Sequence, residues 1–235
     1  MSIDVCDAIV AALDEIARDE AARAVIVCGE GTVFCSGADF AAVSGAGGVA
    51  FVPAFERMLE AVARFRLPTV AAIQGAALGG GMQLACVCDF RIAATDAKIG
   101  IPSARLGILV NFENIQRLVL LAGIATAKEV LMTARTYSGG EAANVGLVTR
   151  AVPPAALEAE VRAFAVELAA RAPLSVQGTK RAIQAVADHL GGARGASPES
   201  IAEIDRLVTE AYTSRDLQEG IAAMSEKRNP NFEGG

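Results

Sequence analysis

Two strand-to-loop junctions constrain this chain more than any other feature. One is Phe34-Cys35-Ser36-Gly37-Ala38-Asp39, in a turn-rich stretch after the β-branched run 23–29 (RAVIVCG). The other is Ala77-Leu78-Gly79-Gly80-Gly81, which follows the apolar run 69–75 (TVAAIQG) and leads straight into a helical segment. Consecutive glycines leave backbone N–H groups uncovered, and a helix start adds unpaired donors and the positive end of its dipole. Two such turns, if they meet, can hold a carbonyl oxygen and stabilise negative charge as it develops there. A triple glycine before a helix equally serves close helix–strand packing, and taken alone it does not separate the two uses.

The pattern around these junctions alternates. Residues 6–17 read as a helix with Ile9, Leu13 and Ile16 on one face, and 23–29 as a buried strand. The glycine-dense stretch 45–48 is expected to be a mobile loop before a helix over 51–65 that Pro68 ends. A strand over 69–75, a helix over 82–88 and a strand over 90–94 follow. Asn111 is a good cap for a helix to residue 121; further helices are expected over 126–133 and 140–144, and a strand over 146–152. From Pro153 the pattern is helical only, with helices opening at Pro173 and at Ser197-Pro198-Glu199, and a last one over 215–228. This predicts an α/β core over 1–152 and a helical region over 153–235.

Composition removes several classes of function. A net charge of -6 and a pI near 5.0, with no tryptophan and no aromatics among basic residues, argue against nucleic-acid binding. Hydrophobic residues reach 53% and the mean hydropathy is +0.40, yet no apolar run approaches the roughly 20 residues of a membrane span. Asp4 and Asp7 stand where a secretory leader would want positive charge, so a cytoplasmic location is expected. The apolar excess is assigned to contacts between copies of the chain. Cys6, Cys28, Cys35, Cys86 and Cys88 show no CxxC spacing and read as reduced thiols. His189 is the only histidine, so a Ser-His-Asp or Cys-His site would have to use it; beside Gly191-Gly192 it reads as a helix-end residue.

FCSGAD, followed further along by AAIQGAALGGGMQLACVCDFRIA, resembles the enoyl-CoA hydratase/isomerase (crotonase) family. The likeness continues through KIGIP, LGI and QRL within 98–118, AKEVLMTAR from Ala127, AANVGLVTR from Ala142 and EGIAAMSEKRNPNF over 219–232, and so covers essentially the whole chain. The resemblance implies a spiral of ββα units with a C-terminal helical region that trimerises, giving a homotrimer or a dimer of trimers. It implies an acyl-CoA substrate, with no metal and no permanently bound cofactor, coenzyme A entering only as part of the substrate. By matched position, the oxyanion hole would be the N–H groups of Ala38 and Gly80. Ser36, Gly37, Asp39, Gly79 and Asn111 would border the substrate or its CoA, and Lys227 would reach a neighbouring subunit's CoA. On residue grounds Lys227 reads equally as a solvated lysine at a helix end.

The chain departs from the family at the acid–base positions. Gln83 and Ser103 stand where the resemblance places the two catalytic glutamates of a hydratase. An amide does not titrate near neutral pH, and a serine without a histidine is a poor base. Losing a positioned acid or base costs a factor of roughly 100 to 10,000. Asn111 stands near a position other members use for their acid or base, but it cannot ionise. Glu113 is the nearest carboxylate and reads equally as a first-turn glutamate favoured by the helix dipole. Arg105 could meet a substrate carboxylate or simply be exposed, and the motif gives Asp39 a structural role. Family chains also open with one or two strands, so this one starts inside the pattern by roughly 15–30 residues. The expectation is an acyl-CoA enzyme that depends on its oxyanion hole, suited to a substrate carrying its own acid or base, as in a decarboxylation. The alternative is a non-catalytic acyl-CoA-binding homologue or partner subunit.

Overall fold

A computed structural model describes residues 1–39, 46–192 and 198–232. The chain divides into two compact units, Met1–Ile99 with Tyr137–Val186, and Gly100–Thr136 with Ala187–Gly235.

The first unit opens with α1 (Ile3–Arg18), whose start is capped by the Ser2 hydroxyl accepting from Val5 N–H. It continues through β1 (Val25–Cys28), α2 (Ala46–Ala63), β2 (Thr69–Ile73), β3 (Ala76–Leu78), α3 (Gly80–Val87), β4 (Phe90–Ala94) and β5 (Lys98–Gly100). After the second unit's first segment, which holds the 3-10 turn Ser103–Leu106 and α4 (Phe112–Met132), come β6 (Tyr137–Ser138), α5 (Gly139–Asn144), β7 (Arg150–Val152) and α6 (Leu157–Ala169). Then follow α7 (Pro173–Gly192), α8 (Pro198–Thr213) and α9 (Arg215–Ser225).

Strands β1, β2, β4 and β7 form a parallel sheet in that spatial order, with Val25 beside Thr69 and Val70 beside Phe90. A second sheet runs β3-β5-β6, with β5 and β6 antiparallel. Every residue of β2 is buried, which is why its sequence reads as one apolar run rather than as an alternation. Asp89, at the end of α3, anchors the start of that strand. Its Oδ2 accepts from Thr69 N–H at 2.7 Å, from Thr69 Oγ1 at 3.0 Å and from Lys180 Nζ at 2.7 Å, and Lys180 also reaches Leu67 O at 2.9 Å. The buried Arg91 closes the other side of the junction by donating to the carbonyls of Ala85 and Cys88 at the end of α3.

Three expectations need correcting or refining. The stretch 45–48 is not a loop where it is described: α2 already runs from Ala46, while Gly45 lies outside the described residues. Glycine and Pro53 each disfavour a helix locally, but the apolar face of Phe51, Ala54, Phe55, Met58, Leu59 and Val62 is buried and outweighs them. The helices expected over 111–121 and 126–133 are α4, broken at Gly123, whose φ of 80° and ψ of 164° interrupt the helical path. Strands β3, β5 and β6 were not anticipated, since two or three residues are too few to show a period. Ser197, the expected cap of α8, lies outside the described residues, as does the side chain of His189 in α7. All five cysteines are free, and burial pushes the Cys88 thiol up to about 12. No helix among the described residues is long and apolar enough to cross a membrane.

Candidate functional site

The first unit joins the two glycine-bearing turns directly. Cys35 N–H donates to Ala76 O at 2.9 Å and Leu78 N–H donates to Cys35 O at 3.0 Å, an isolated parallel bridge between Cys35 and Ala77. Phe34 N–H extends the contact to Gln74 O at 2.9 Å, and the Gln74 carboxamide holds Gly29 O at 2.7 Å. Gly81 permits this approach. A Cβ there would stand 2.2 Å from Cys35 O and 2.8 Å from Cys35 Cβ, so even alanine would push the turns apart. Gly79, at φ 54° and ψ -119°, takes a backbone conformation closed to ordinary side chains and lets α3 begin immediately after β3.

The amides of Ala38 and Gly80 are thereby brought to one place. A Cβ built on Gly80 would lie 3.6 Å from Ala38 N and 3.4 Å from Cε2 and Cζ of Phe55. Standard covalent geometry then limits the two amide nitrogens to a separation of about 6 Å. Two donors sharing one oxygen at ordinary hydrogen-bond length stand no further apart than that. Gly80 is the first residue of α3, so its N–H has no acceptor within the helix. Among the described residues, neither this N–H nor that of Ala38 donates to a protein acceptor.

The neighbouring residues frame the spot. Gly37 is buried, Ala38 is half-buried, and Ser36 and Asp39 are exposed, with Asp39 N–H donating to Met1 O at 2.8 Å. Gln83 lies one turn into α3, half-buried, with its backbone N–H on Gly79 O at 3.1 Å. Its carboxamide has no partner among the described residues, which leaves it able to hold a water or a ligand atom but not to exchange a proton.

The second unit carries the remaining candidates. Ser103 opens the turn Ser103–Leu106, half-buried, and its carbonyl accepts from Ile108 N–H at 3.1 Å. Asn111 caps α4, its Oδ1 accepting from Asn114 N–H at 3.1 Å, so local capping accounts for this oxygen. Glu113 and Arg105 are exposed, and neither side chain has a partner among the described residues. α9 packs against the turn that bears Ser103, with Gly220 facing the Leu106 backbone. Just beyond α9, Lys227 is exposed with a φ of 54°. The next residue, Arg228, grips both carboxylate oxygens of Glu219 at 2.5 and 2.8 Å. That guanidinium, helped by Asn231 N–H, holds the half-buried Glu219 carboxyl down to about 2.

Of the residues singled out in the sequence, Ser36, Gly37, Ala38, Asp39, Gly79, Gly80 and Gln83 are thus gathered in the first unit. Ser103, Arg105, Asn111, Glu113 and Lys227 belong to the second. Phe55 was not singled out, because nothing in a helix's apolar repeat tells which of its members will abut a glycine further along the chain.

The profile of the enoyl-CoA hydratase/isomerase family matches residues 1–235. A probable enoyl-CoA hydratase of Bacillus subtilis (strain 168) is 36% identical over 227 residues, which span 94% of this chain and 86% of that protein. Among solved structures, methylmalonyl-CoA decarboxylase in complex with 2-nitronate-propionyl-CoA is similar at a TM-score of 0.87 and 25% identity, over 98% of this chain and 88% of the other. An enoyl-CoA hydratase/carnithine racemase from Magnetospirillum magneticum is similar at a TM-score of 0.76 and 30% identity, over 100% and 87%.

Proposed function

The chain belongs to the enoyl-CoA hydratase/isomerase family, and from that membership we propose that it acts on a coenzyme A thioester through an enolate held by the Ala38 and Gly80 amides. The observation that carries this reading is that the Ala38 and Gly80 amide nitrogens lie within about 6 Å of each other, neither of them donating to the described protein. One such donor contributes about 3 kcal/mol to stabilising an oxyanion.

The reaction that suits these residues is loss of an α-carboxylate. The bond from Cα to the carboxylate breaks, CO2 departs, and the electron pair enters the enolate whose oxygen the two N–H groups hold. A proton from water then completes the α-carbon. No protein base is needed for the first step, which fits Gln83 and Ser103 in the places of the family's glutamates. The likeness to methylmalonyl-CoA decarboxylase supports the same reading. A second reading, an acyl-CoA-binding homologue without turnover, is favoured by the exposure of Glu113, the ionisable residue two positions beyond Asn111.

A mass-spectrometric panel of saturated, 2-enoyl and α-carboxylated CoA thioesters separates them. The expected result is retention of thioesters with conversion confined mainly to the α-carboxylated members. Retention without any conversion would favour the binding protein, and retention of none would end the CoA reading. The assembly proposed with this function is a homotrimer or a dimer of trimers. Its support is the outward apolar stripe of Ile183, Val186 and Leu190 on α7, exposed by 64%, 58% and 50%. Sedimentation should give a mass of three or six chains, and a monomer at micromolar concentration would contradict it.

A further inference from the structure

The accessible face of α3 is narrow. Gly81, Met82, Leu84, Ala85 and Val87 are buried, and the residues of this helix left half-buried are Gly80, Gln83 and Cys86, each three positions from the next. Residues at that spacing are neighbours on a helix surface, about 5–6 Å apart. Side chains also lean toward the start of their helix, so Gln83 lies over the turn that Gly80 opens. Neither Gly79 nor Gly80 carries a side chain that could stand between. The Gln83 carboxamide is open to that space and not sealed in the core. The one buried side-chain nitrogen or oxygen without a partner among the described residues is Nε of Arg91. An amide donor with no described acceptor therefore stands one helical turn along from the Gly80 N–H.

We propose that Gln83 is a specificity-determining residue that selects substrates with an α-carboxylate, its Nε2 donating a hydrogen bond to that group. The proposal rests on the decarboxylation reading given above. A carboxylate on the α-carbon has its oxygens within about 5 Å of the thioester oxygen by covalent geometry alone. That reach matches the offset between neighbours one turn apart on α3. Residue chemistry decides the sign. A glutamate here would be charged at neutral pH and would repel a second carboxylate, whereas glutamine has the same length, no charge and two N–H donors. Neutrality also suits the bond that breaks. The carboxylate leaves as uncharged CO2, so a cation gripping it would stabilise the substrate more than the transition state. An amide orients the group with a weaker hold.

The test uses the full chain with acetyl-CoA and sulfoacetyl-CoA, whose sulfonate supplies the anion and cannot leave as CO2. In the unmodified protein titration calorimetry should give a Kd at least about tenfold lower for sulfoacetyl-CoA, the effect of one hydrogen bond to a charged group. Gln83→Ala should bring the two values within about twofold. Gln83→Glu, which keeps the side chain's shape and serves if the alanine variant does not fold, should reverse their order. With malonyl-CoA, converted to acetyl-CoA and CO2 with a proton from water, Gln83→Ala should raise KM about tenfold without lowering kcat. Lost packing alone would neither invert the preference nor separate the two constants. An anion preference that survives in both variants would overturn the assignment of Gln83 and leave the decarboxylation reading in place. Binding of acetyl-CoA without any anion preference in the unmodified protein would also overturn the assignment. If the unmodified protein converts no α-carboxylated thioester, the decarboxylation reading falls and this one with it.

Discussion

Replacing Gly80 by alanine is expected to leave the fold intact, and replacing it by proline to lower turnover of a CoA thioester by at least about a hundredfold. The two halves of that outcome have separate causes. Gly80 is not among the glycines with positive φ, and as the first residue of α3 it has a backbone that alanine also adopts. The new methyl would meet Phe55 at 3.4 Å and Ala38 N at 3.6 Å, close but tolerable contacts, unlike the 2.2 Å collision that a Cβ would bring at Gly81. Stability should therefore change little. The methyl would stand beside the Gly80 N–H, not on the line along which that donor holds an oxygen, and both N–H groups would remain in place, so Gly80→Ala should lower turnover less than loss of a donor. Gly80→Pro approaches the same point differently, removing one N–H at a first-turn position that proline accepts. Thermal melting by circular dichroism, read beside turnover and thioester affinity, checks both variants. A folded Gly80→Pro protein with unchanged turnover would mean that the oxygen is held elsewhere.

The site's two turns were legible in the sequence, and the reason is that backbone chemistry leaves its mark as glycine. Gly79 and Gly81 are dictated by a torsion and by a collision, so no other residue could stand there whatever its neighbours. Strand β2 was legible because burial on both faces favours a continuous apolar run, and β4 because its residues other than the buried Arg91 are apolar. That Cys35 bridges Ala77 was not, since a single pair of backbone hydrogen bonds makes no demand on either side chain. The start of α2 was misplaced because local propensity there opposes the helix, and only its buried face explains why it forms. Phe55 escaped for a related reason. Its apolar character satisfies the core, and its contact with Gly80 depends on how α2 lies against α3.

Changing Gln83 and Ser103 together to glutamate should raise hydration of crotonyl-CoA by a factor of about 100 to 10,000 over a low starting rate. Hydration adds hydroxide equivalent to the β-carbon and a proton to the α-carbon. A base must take a proton from the attacking water as an acid supplies the α-carbon, and the oxyanion site by itself does neither. Gln83→Glu keeps the shape of the side chain, and the carboxamide it replaces has no partner among the described residues, so no existing bond is broken. Ser103→Glu adds length at a half-buried turn residue whose hydroxyl likewise has no described partner. Either change alone should yield much less than the pair, because groups that act in one proton transfer cycle are strongly non-additive. Steady-state loss of the enoyl absorbance measures all four proteins. Rapid hydration by the unmodified chain would show that its proton transfers do not depend on carboxylates at these two positions, and the case for an enolate reaction without a protein base would fall with it.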